Sequence, residues 1–328
     1  MTMKELAEIA GVSPSAVSRY LNGGSLSQDK RERIQQAMEE TGYQPDAIAQ
    51  MLRTKVTDHV GLIVPKLDSD AVTRVTRGAS QTLAEEGFLG LLADTNNNPE
   101  KELAYLKLFQ NRPVAGIIMM ATVMTPQHEE IIKNSPIPIV IVGQQFRHVP
   151  CVYHDDFGAA YDLTKLILEK GRRKLGFIGV TERDVAVGIN RRRGVEAAMK
   201  EFDLDPASLA FSLCDFTTEG GQHSMQLLLD QTEELDGLIC ATDRIAFGAM
   251  ETLKQRGIRI PEDISVVGLD DNWAGKYILP HLTTAHFYYK TSGETAAQLL
   301  IDMIRNKKSS GPIMQTMLGY TIETRCSV

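Results

Sequence analysis

Four polar side chains near the N-terminus follow the spacing of one face of a helix. They stand at relative positions 0, 3, 4 and 7, which lie on one side of an α-helix, and are Ser15, Ser18, Arg19 and Asn22. Serine and asparagine can bind phosphates and base edges, and arginine can make a bidentate contact with guanine in the major groove. This face would suit DNA, although any small amphipathic helix also has a polar outer face.

A second group of short polar side chains stands in loops that follow apolar, strand-length segments. Its members are Asp68, Ser69, Thr242 and Asp270. In open parallel sheets, ligands bind beyond the carboxyl ends of the strands. These loops are therefore expected to face one ligand-binding cleft, with loop capping as the plainer explanation of their polarity.

Motifs of enzymes and metal sites are missing from the sequence. The chain has no G-x-G-x-x-G, G-x-x-x-x-G-K-[ST], G-x-S-x-G or H-E-x-x-H motif, and its seven histidines form no spaced cluster. The four cysteines lie far apart without a C-x-x-C pair, which argues against a zinc site and a disulfide framework. The compact run His154-Asp155-Asp156 is explained by a turn between two lobes. We therefore expect no catalysis, no metal and no cofactor.

The elements that carry the first polar face are short helices. Met3–Ala10 is apolar enough for a helix that ends at Gly11, and Ser13 followed by Pro14 is a good start signal for a second helix that runs to about Leu21. A third helix is expected between Ser27 and Gly42. The first residues therefore predict a small all-α head with two helices joined by a tight turn.

The rest of the chain alternates strand-length apolar segments with helical patterns. This rhythm is typical of doubly wound α/β units with parallel sheets. A break near residues 151–156 divides the segments into two lobes with a cleft between them. The expected strands are Val60–Val64, Leu89–Asp94, Ala115–Met120, Pro138–Val142, Leu175–Gly179, Gly237–Cys240 and Ile264–Leu269.

Length and charge agree with this division. At about 150 residues per domain, the 328 residues suggest two domains. Residues 1–57 hold seven Lys/Arg and seven Asp/Glu, so the net charge of −7 lies entirely after residue 57. A basic face within the neutral head is still possible, because Arg19 and the run Lys30-Arg31-x-Arg33 can collect on one side.

No segment approaches the roughly 18 apolar residues of a membrane helix, and the N-terminus lacks the apolar core of a signal peptide, so we expect a cytoplasmic protein.

The head closely resembles the lactose/galactose repressor family of bacterial transcriptional regulators. The similar run is M-K-E-L-A-E-I-A-G-V-S-P-S-A-V-S-R-Y-L-N, residues 3–22, and it continues through Gly42-Tyr43-x-Pro45-x-x-x-Ala49-x-x-Leu52-Arg53. The resemblance implies DNA contacts by Ser13, Pro14, Ser15, Ser18, Arg19 and Asn22. It also implies a hinge helix whose Ala49 and Leu52 reach the minor groove, where the leucine wedges between base pairs. Asp46 and Gln50 depart from the commonest hinge pattern, which has Asn and often a basic residue there.

The resemblance extends through the body. The run S-V-V-G-L-D-D, residues 265–271, is similar to a family run whose first Asp binds the ligand, here Asp270. The arginine three residues before the helix glycine enters the family's ligand site, here Arg191 before Gly194. Further ligand contacts implied by the resemblance are Phe216, which stacks on the ligand, Thr242 and Tyr289. Gly143-Gln144 stands where many members have Asp-Arg.

The whole pattern predicts a ligand-responsive repressor. We expect a helix-turn-helix domain at residues 1–44, a hinge helix and linker at 45–57, and an effector-binding and dimerisation body at 58–328 that is similar to periplasmic binding proteins. The N-terminal lobe is expected at about 58–156 and 287–316, and the C-terminal lobe at about 157–286 and 317–328.

The expected partners are a near-palindromic operator, a second copy of the chain, and a sugar or sugar phosphate effector but no membrane. Stacking by Phe216 or Trp273, with Asp270 and Arg191, would suit a polyhydroxylated ring, and Lys66 with Arg191 would suit a sugar phosphate. The alternatives are a regulator that needs a corepressor or a partner protein, and a free sugar-binding carrier. The carrier would have no use for residues 1–54.

Overall fold

A computed structural model describes residues 1–21, 24–43, 57–232, 234–306 and 312–328. The chain divides into two compact units, Met1–Thr57 and Asp58–Val328. The expected hinge helix, with Ala49 and Leu52, lies outside the described residues, as does Asn22. Within the described ranges, no helix is long and apolar enough to cross a membrane.

The first unit is built from three helices. They are α1 (Met3–Ile9), α2 (Pro14–Leu21) and α3 (Gln28–Thr41). The Ser13 hydroxyl accepts a hydrogen bond from the Ala16 amide at 3.3 Å and so caps the start of α2. Gly42 ends α3 in the left-handed conformation, with φ of 64°.

A small apolar core holds these helices together. Leu6, Val17 and Ile34 are fully buried, one from each helix. The helix α2 packs into this core through Val17. Its polar side chains therefore lie on the opposite, outer face.

The second unit contains two six-stranded sheets. All neighbouring strands are parallel except β10 and β12. The strand order is β11-β5-β4-β3-β1-β2 in the first sheet and β12-β10-β9-β8-β6-β7 in the second. The strands are β1 (His59–Val64), β2 (Leu89–Asp94), β3 (Gly116–Met120), β4 (Ile139–Val142), β5 (Cys151–His154), β6 (Leu175–Gly179), β7 (Ala210–Leu213), β8 (Gly237–Cys240), β9 (Ser265–Leu269), β10 (Thr283–Phe287), β11 (Gln315–Leu318) and β12 (Tyr320–Glu323).

Helices cover both faces of the sheets and close three apolar clusters among the described residues, two in the first lobe and one in the second. A π-helix, Val185–Asn190, leads directly into α8. Two short 3₁₀ segments, Pro206–Ser208 and Trp273–Lys276, complete the unit. The α-helices are α4 (Asp70–Glu85), α5 (Pro99–Gln110), α6 (Pro126–Lys133), α7 (Asp156–Glu169), α8 (Arg191–Glu201), α9 (Thr218–Gln231), α10 (Asp243–Gln255) and α11 (Tyr289–Asn306).

The chain passes between the sheets close to the positions expected from the sequence. Residues 151–156 also include a strand, because Cys151–His154 pairs with β4 and β11, and α7 begins at Asp156. The first sheet extends to Leu318, so the last passage falls at Gly319, near the expected boundary at about residue 316. The chain therefore passes from one sheet to the other after β5, after β10 and after β11.

Candidate functional site

The outer face of α2 presents the polar side chains singled out in the sequence. Ser13, Pro14, Ser15 and Arg19 are exposed, and Ser18 is half-buried. The Ser13 and Ser15 hydroxyls lie 2.9 Å apart. No carboxylate in the described part of the chain lies within 4 Å of the Arg19 guanidinium, which leaves its charge available for a phosphate or a base edge.

The basic run at the start of α3 is arranged differently from the expected basic face. The Arg31 guanidinium donates to the Gly24 carbonyl at 2.8 Å, and that of Arg33 donates to the Gly11 carbonyl at 2.6 Å. Both guanidinium groups therefore bind backbone carbonyls in turns of the head. Arg19, in contrast, is exposed on the outer face of α2.

A cavity of about 150 Å³ lies between the two lobes of the second unit, at the carboxyl ends of the strands. It brings together six of the seven ligand-site residues expected from the sequence, which are Ser69, Arg191, Phe216, Thr242, Asp270 and Tyr289. Asp68 stands outside this cavity, exposed and 3.2 Å from the Arg244 guanidinium. Trp273 also lies outside it and is 66% exposed, so Phe216 is the aromatic side chain of the two that faces the cavity.

Arg191 is the central charge of the cavity. It is 3% exposed, and its Nε donates to the Asp156 carboxylate at 2.7 Å. Its Nη1 donates to the Ala241 carbonyl and lies 3.5 Å from the Asp270 carboxylate. Burial alone would lower the pKa of Arg191, but the two carboxylates raise it above its usual value. The guanidinium is therefore a permanent cation whose hydrogen bonds are largely made within the protein.

Asp270 joins the two lobes at this point. Its carboxylate accepts a hydrogen bond from the Tyr289 hydroxyl at 2.6 Å, and its backbone carbonyl accepts one from Arg74. Tyr289 begins α11 and Arg74 belongs to α4, both in the first lobe, whereas Asp270 follows β9 in the second. A ligand that contacts Asp270 therefore touches a residue on which both lobes converge.

A second contact between the lobes is made by Gln144 and Asp184. The Gln144 amide nitrogen donates to the Asp184 carboxylate at 2.7 Å, and its carbonyl oxygen accepts from the Ala186 amide at 3.2 Å. The Asp184 carboxylate also accepts from the Val187 amide at 3.0 Å and so caps the π-helix. Burial raises the pKa of Asp184 to about 6, against the hydrogen bonds from Val187 and Gln144. The glutamine thus binds the protein itself at the position where many family members carry arginine.

His154 and Asp156 line the cavity, although the sequence run that contains them was interpreted as a turn. His154 ends β5 and Asp156 begins α7, so the two stand on either side of a passage between lobes. Burial and the charge of Arg191 lower the pKa of His154 to about 4, which keeps the imidazole neutral at pH 7. The compact polar run could have indicated these cavity residues in the sequence. The sequence did not predict the strand β5, which places His154 at the cavity.

Lys66 stands at the mouth of the cavity with Phe216. Its ammonium nitrogen lies 5.6 Å from the centre of the Phe216 ring, within cation–π range. Burial lowers the pKa of Lys66, and the charge of Asp68 opposes this. No hydrogen-bond acceptor for this ammonium group is found in the described ranges.

The pKa of Asp184 predicts a pH-dependent contribution to stability. Because the pKa of Asp184 is about 6 in the native state and the ordinary pKa of an aspartate is 3.8, the folded state binds the proton more tightly than the unfolded state between these pH values. Stability from this group is therefore fully present below about pH 4 and is lost as the pH rises through 6, by at most about 1.4 kcal/mol per pH unit. Asp184→Asn keeps the capping oxygen and removes the titration.

Urea unfolding at pH 4.5, 5.5 and 6.5, followed by the fluorescence of the single tryptophan, Trp273, measures this difference. The free energy of unfolding of the wild type should fall relative to that of Asp184→Asn as the pH rises. Asp263→Asn is the matched control, because Arg259 and its amide hold the pKa of the exposed Asp263 at about 2. A difference between wild type and Asp184→Asn that stays constant over this range would show that Asp184 does not titrate there.

Two family models match the chain. The model for bacterial regulatory proteins of the lacI family matches residues 2–46, and the model for the periplasmic binding protein-like domain matches residues 164–328. The sucrose operon repressor of Staphylococcus xylosus is 31% identical over 303 residues, which cover 92% of this chain and 93% of that protein. The HTH-type transcriptional repressor PurR of Salmonella paratyphi B is 28% identical over 324 residues, 94% of this chain and 91% of the relative.

Solved structures agree with these relatives. A complex of the transcriptional regulator CelR with cellobiose is 25% identical, has a TM-score of 0.75 and covers 100% of both chains. The lac repressor dimer bound to operator and the anti-inducer ONPF has a TM-score of 0.88 at 20% identity, covering 100% of this chain and 98% of the other. This second likeness shows the fold. All four proteins are named as repressors or transcriptional regulators.

Proposed function

Because this chain belongs to the lacI family of bacterial regulatory proteins, and is a ligand-responsive repressor that binds DNA, we propose that it controls genes of sugar uptake or catabolism. A sugar or sugar phosphate bound between the lobes releases it from its operator. The observation that carries this proposal is the cavity in which Asp270, Arg191 and Phe216 face one another. The names of two relatives, a sucrose operon repressor and a regulator bound to cellobiose, support the same ligand class.

The chemistry of the cavity suits a polyhydroxylated ring. Carboxylates such as Asp156 and Asp270 accept hydrogen bonds from hydroxyl groups. Phe216 offers an apolar ring face to the C–H groups of a sugar, and the largely apolar lining excludes water. We assign effector binding to Ser69, Arg191, Phe216, Thr242, Asp270 and Tyr289, and we assign Asp68 to the rim through its ion pair with Arg244.

We assign DNA recognition to the exposed face of α2. Ser15 and Arg19 read bases, Ser18 and Asn22 hold phosphates, and Ser13 with Pro14 sets the start of the recognition helix. The repressor acts as a homodimer, so that two heads bind half-sites about one helical turn apart on a near-palindromic operator.

Two exposed apolar surfaces support the proposed dimer. On the edge strand β2, Leu89 and Leu91, which point to the same face of the sheet, are 57% and 36% exposed, respectively. After β9, Tyr277 and Leu279 are 76% and 75% exposed, respectively. Large exposed apolar residues grouped in this way are typical of interfaces between subunits. A two-fold dimer would bury each surface against its own copy or against the other surface.

Arg19→Ala tests the recognition face. We expect it to relax base preference at one position of each half-site and to weaken operator binding by about 1–3 kcal/mol, because a bidentate base contact is lost. Gel shifts with the operator, with half-site variants and with random DNA measure this. Arg256→Ala, the same change at the exposed arginine that directly follows α10, should leave all three affinities unchanged. Equal weakening on operator and random DNA would assign Arg19 to a phosphate.

Leu52→Ala tests the proposed minor-groove wedge. Burial of the leucine between base pairs helps to offset unstacking, which costs a few kcal/mol per step. We expect the variant to bind the operator more weakly and to bend it less, as measured by circular permutation gel shifts, while effector binding is retained. A stable complex with the wild-type bend angle would rule out the wedge.

Asp270→Asn tests the effector site while the pair between Arg191 and Asp156 is kept, whereas Arg191→Ala would leave Asp156 buried and unpaired at a cost of about 3–5 kcal/mol. The amide oxygen can still accept from Tyr289, but the carboxylate that accepts sugar hydroxyls is lost. We expect normal operator binding and failure of release in gel shifts with a panel of sugars and sugar phosphates. Asp263→Asn, at an exposed carboxylate that is paired with Arg259 outside the cavity, is the matched control and should be released normally.

The wild type in the same gel shifts shows whether the ligand weakens or strengthens operator binding. A sugar that strengthens operator binding would make the ligand a corepressor. Normal affinity of Asp270→Asn for the effector in calorimetry would place the effector elsewhere. Linkage adds a further check, since the operator must lower effector affinity by the same factor by which the effector lowers operator affinity.

A further inference from the structure

A second, smaller cavity of about 50 Å³ adjoins the main cavity at its mouth. It is lined by Lys66 and Arg244, which come from opposite lobes, and by Ser69, Thr242 and Asn272. The ring of Phe216 and the carboxylate of Asp270 belong to both cavities. A ligand in the main cavity could therefore extend one substituent into this pocket.

The charges around this pocket are unequally compensated. Among its acidic neighbours, Asp68 is paired with Arg244 at 3.2 Å, Asp70 with Arg74 at 3.0 Å, and Asp270 with Arg191 and Tyr289. Lys66 has no carboxylate within 4 Å in the part of the chain that the structure describes. Asp215 acts on Lys66 at longer range. Its carboxylate accepts a hydrogen bond from the Thr217 hydroxyl.

Some hydrogen-bond donors of the pocket have no acceptor among the described residues. Arg244 donates through Nη1 to Asp68, and no acceptor for its Nε or Nη2 is found in the described ranges. The two helices that begin here, α4 capped by Ser69 and α10 capped by Thr242, direct the positive ends of their dipoles toward the same space. A half-buried lysine on which Asp68, Asp215 and Asp270 act without direct contact, facing a guanidinium across a small cavity, is a suitable environment for a compact anion.

Arg191 is a less suitable partner for such an anion. Its charge is already compensated by the carboxylates of Asp156 and Asp270. An anion in the main cavity would also lie against the buried carboxylates of Asp156, Asp184 and Asp270. The main cavity thus suits the uncharged, hydroxyl-bearing part of a ligand, and the pocket at its mouth suits the charged part.

We propose that Lys66 and Arg244 form a subsite for an anionic substituent of the effector, a phosphate ester or a carboxylate, bound between the lobes next to Phe216. This inference rests on the proposed function and restricts its ligand class to anionic sugars. The anion displaces Asp68 from Arg244 and is shared by one cation of each lobe, so that effector binding replaces one contact between the lobes at the mouth with another.

Calorimetry with matched ligands tests this on the full-length protein. The probes are glucose with glucose 6-phosphate and glucuronate, and sucrose with sucrose 6-phosphate. We expect the anionic member of at least one set to bind about 10-fold to 100-fold more tightly than its neutral partner, as charge-assisted hydrogen bonds imply. The preference should disappear in Lys66→Met and in Arg244→Met. It should persist in Lys254→Met, which removes an exposed charge at the far end of α10.

Inorganic phosphate probes the pocket without reference to any sugar. At millimolar concentration it should raise the melting temperature of the wild type above that in chloride of equal ionic strength, and this shift should be absent in Lys66→Met. Circular dichroism establishes that each variant is folded. A preference for glucuronate over both phosphate esters would identify the substituent as a carboxylate and supports the subsite.

Three results would overturn the subsite. These are equal affinity for neutral and anionic partners in every set, a preference that survives Lys66→Met, and the absence of any effect of phosphate on the wild type. Different outcomes distinguish failure of the subsite from failure of the proposed sugar effector. If a neutral sugar releases the operator, the repressor function stands and the subsite falls. If phosphate binds through Lys66 but no sugar or sugar phosphate changes operator binding, the subsite stands and the sugar effector falls.

Discussion

A guanidinium buried between two lobes must be surrounded by carboxylates, and this requirement organises the ligand-binding cleft. The cost of removing such an ion from water is several kcal/mol, and here Asp156 and Asp270 compensate it. Arg191 begins α8, Asp156 begins α7 and Asp270 follows β9. One buried charge therefore holds three separate segments of the lobe in a fixed arrangement. Loss of Arg191 would leave Asp156 and Asp270 without their shared cation, and loss of either carboxylate would leave the charge of the guanidinium only partly compensated.

The alternation of apolar segments with helical patterns predicted the fold because buried parallel strands read as continuous apolar runs. The seven expected strands are confirmed to within one residue at each end, and Ser13 and Gly42 bound the helices of the head as expected. Five strands were missed. β5, with Tyr153 and His154, and the edge strands β11 and β12 are short and carry polar side chains. Their pairing depends on partners far away in the chain, which local pattern does not reveal.

The candidate site was predicted in part. Ser69, Thr242 and Asp270 follow apolar strands directly, so the rule that ligands bind beyond strand ends found them, whereas Arg191 and Tyr289 were named through the family resemblance. Six of the seven residues line the cavity, and their roles remain proposals. Asp156, Asp184 and His154 were missed as cavity residues. Their positions depend on the pairing of β5, which precedes His154, and on the π-helix before Arg191, neither of which has a local signal in the sequence.

The contacts between the lobes limit how an effector can act. Gln144 binds Asp184 and the Ala186 amide, and Asp270 binds Tyr289, without any ligand. The approach of the lobes is thus stabilised by the protein's own polar groups, and an effector does not have to create it. A ligand changes the equilibrium between lobe arrangements only through the difference in its affinity for them. At the mouth of the cleft, where Asp68 of one lobe pairs with Arg244 of the other, a ligand would replace an existing contact. The free energy available for regulation there is the difference between these two contacts and not the whole binding energy of the ligand.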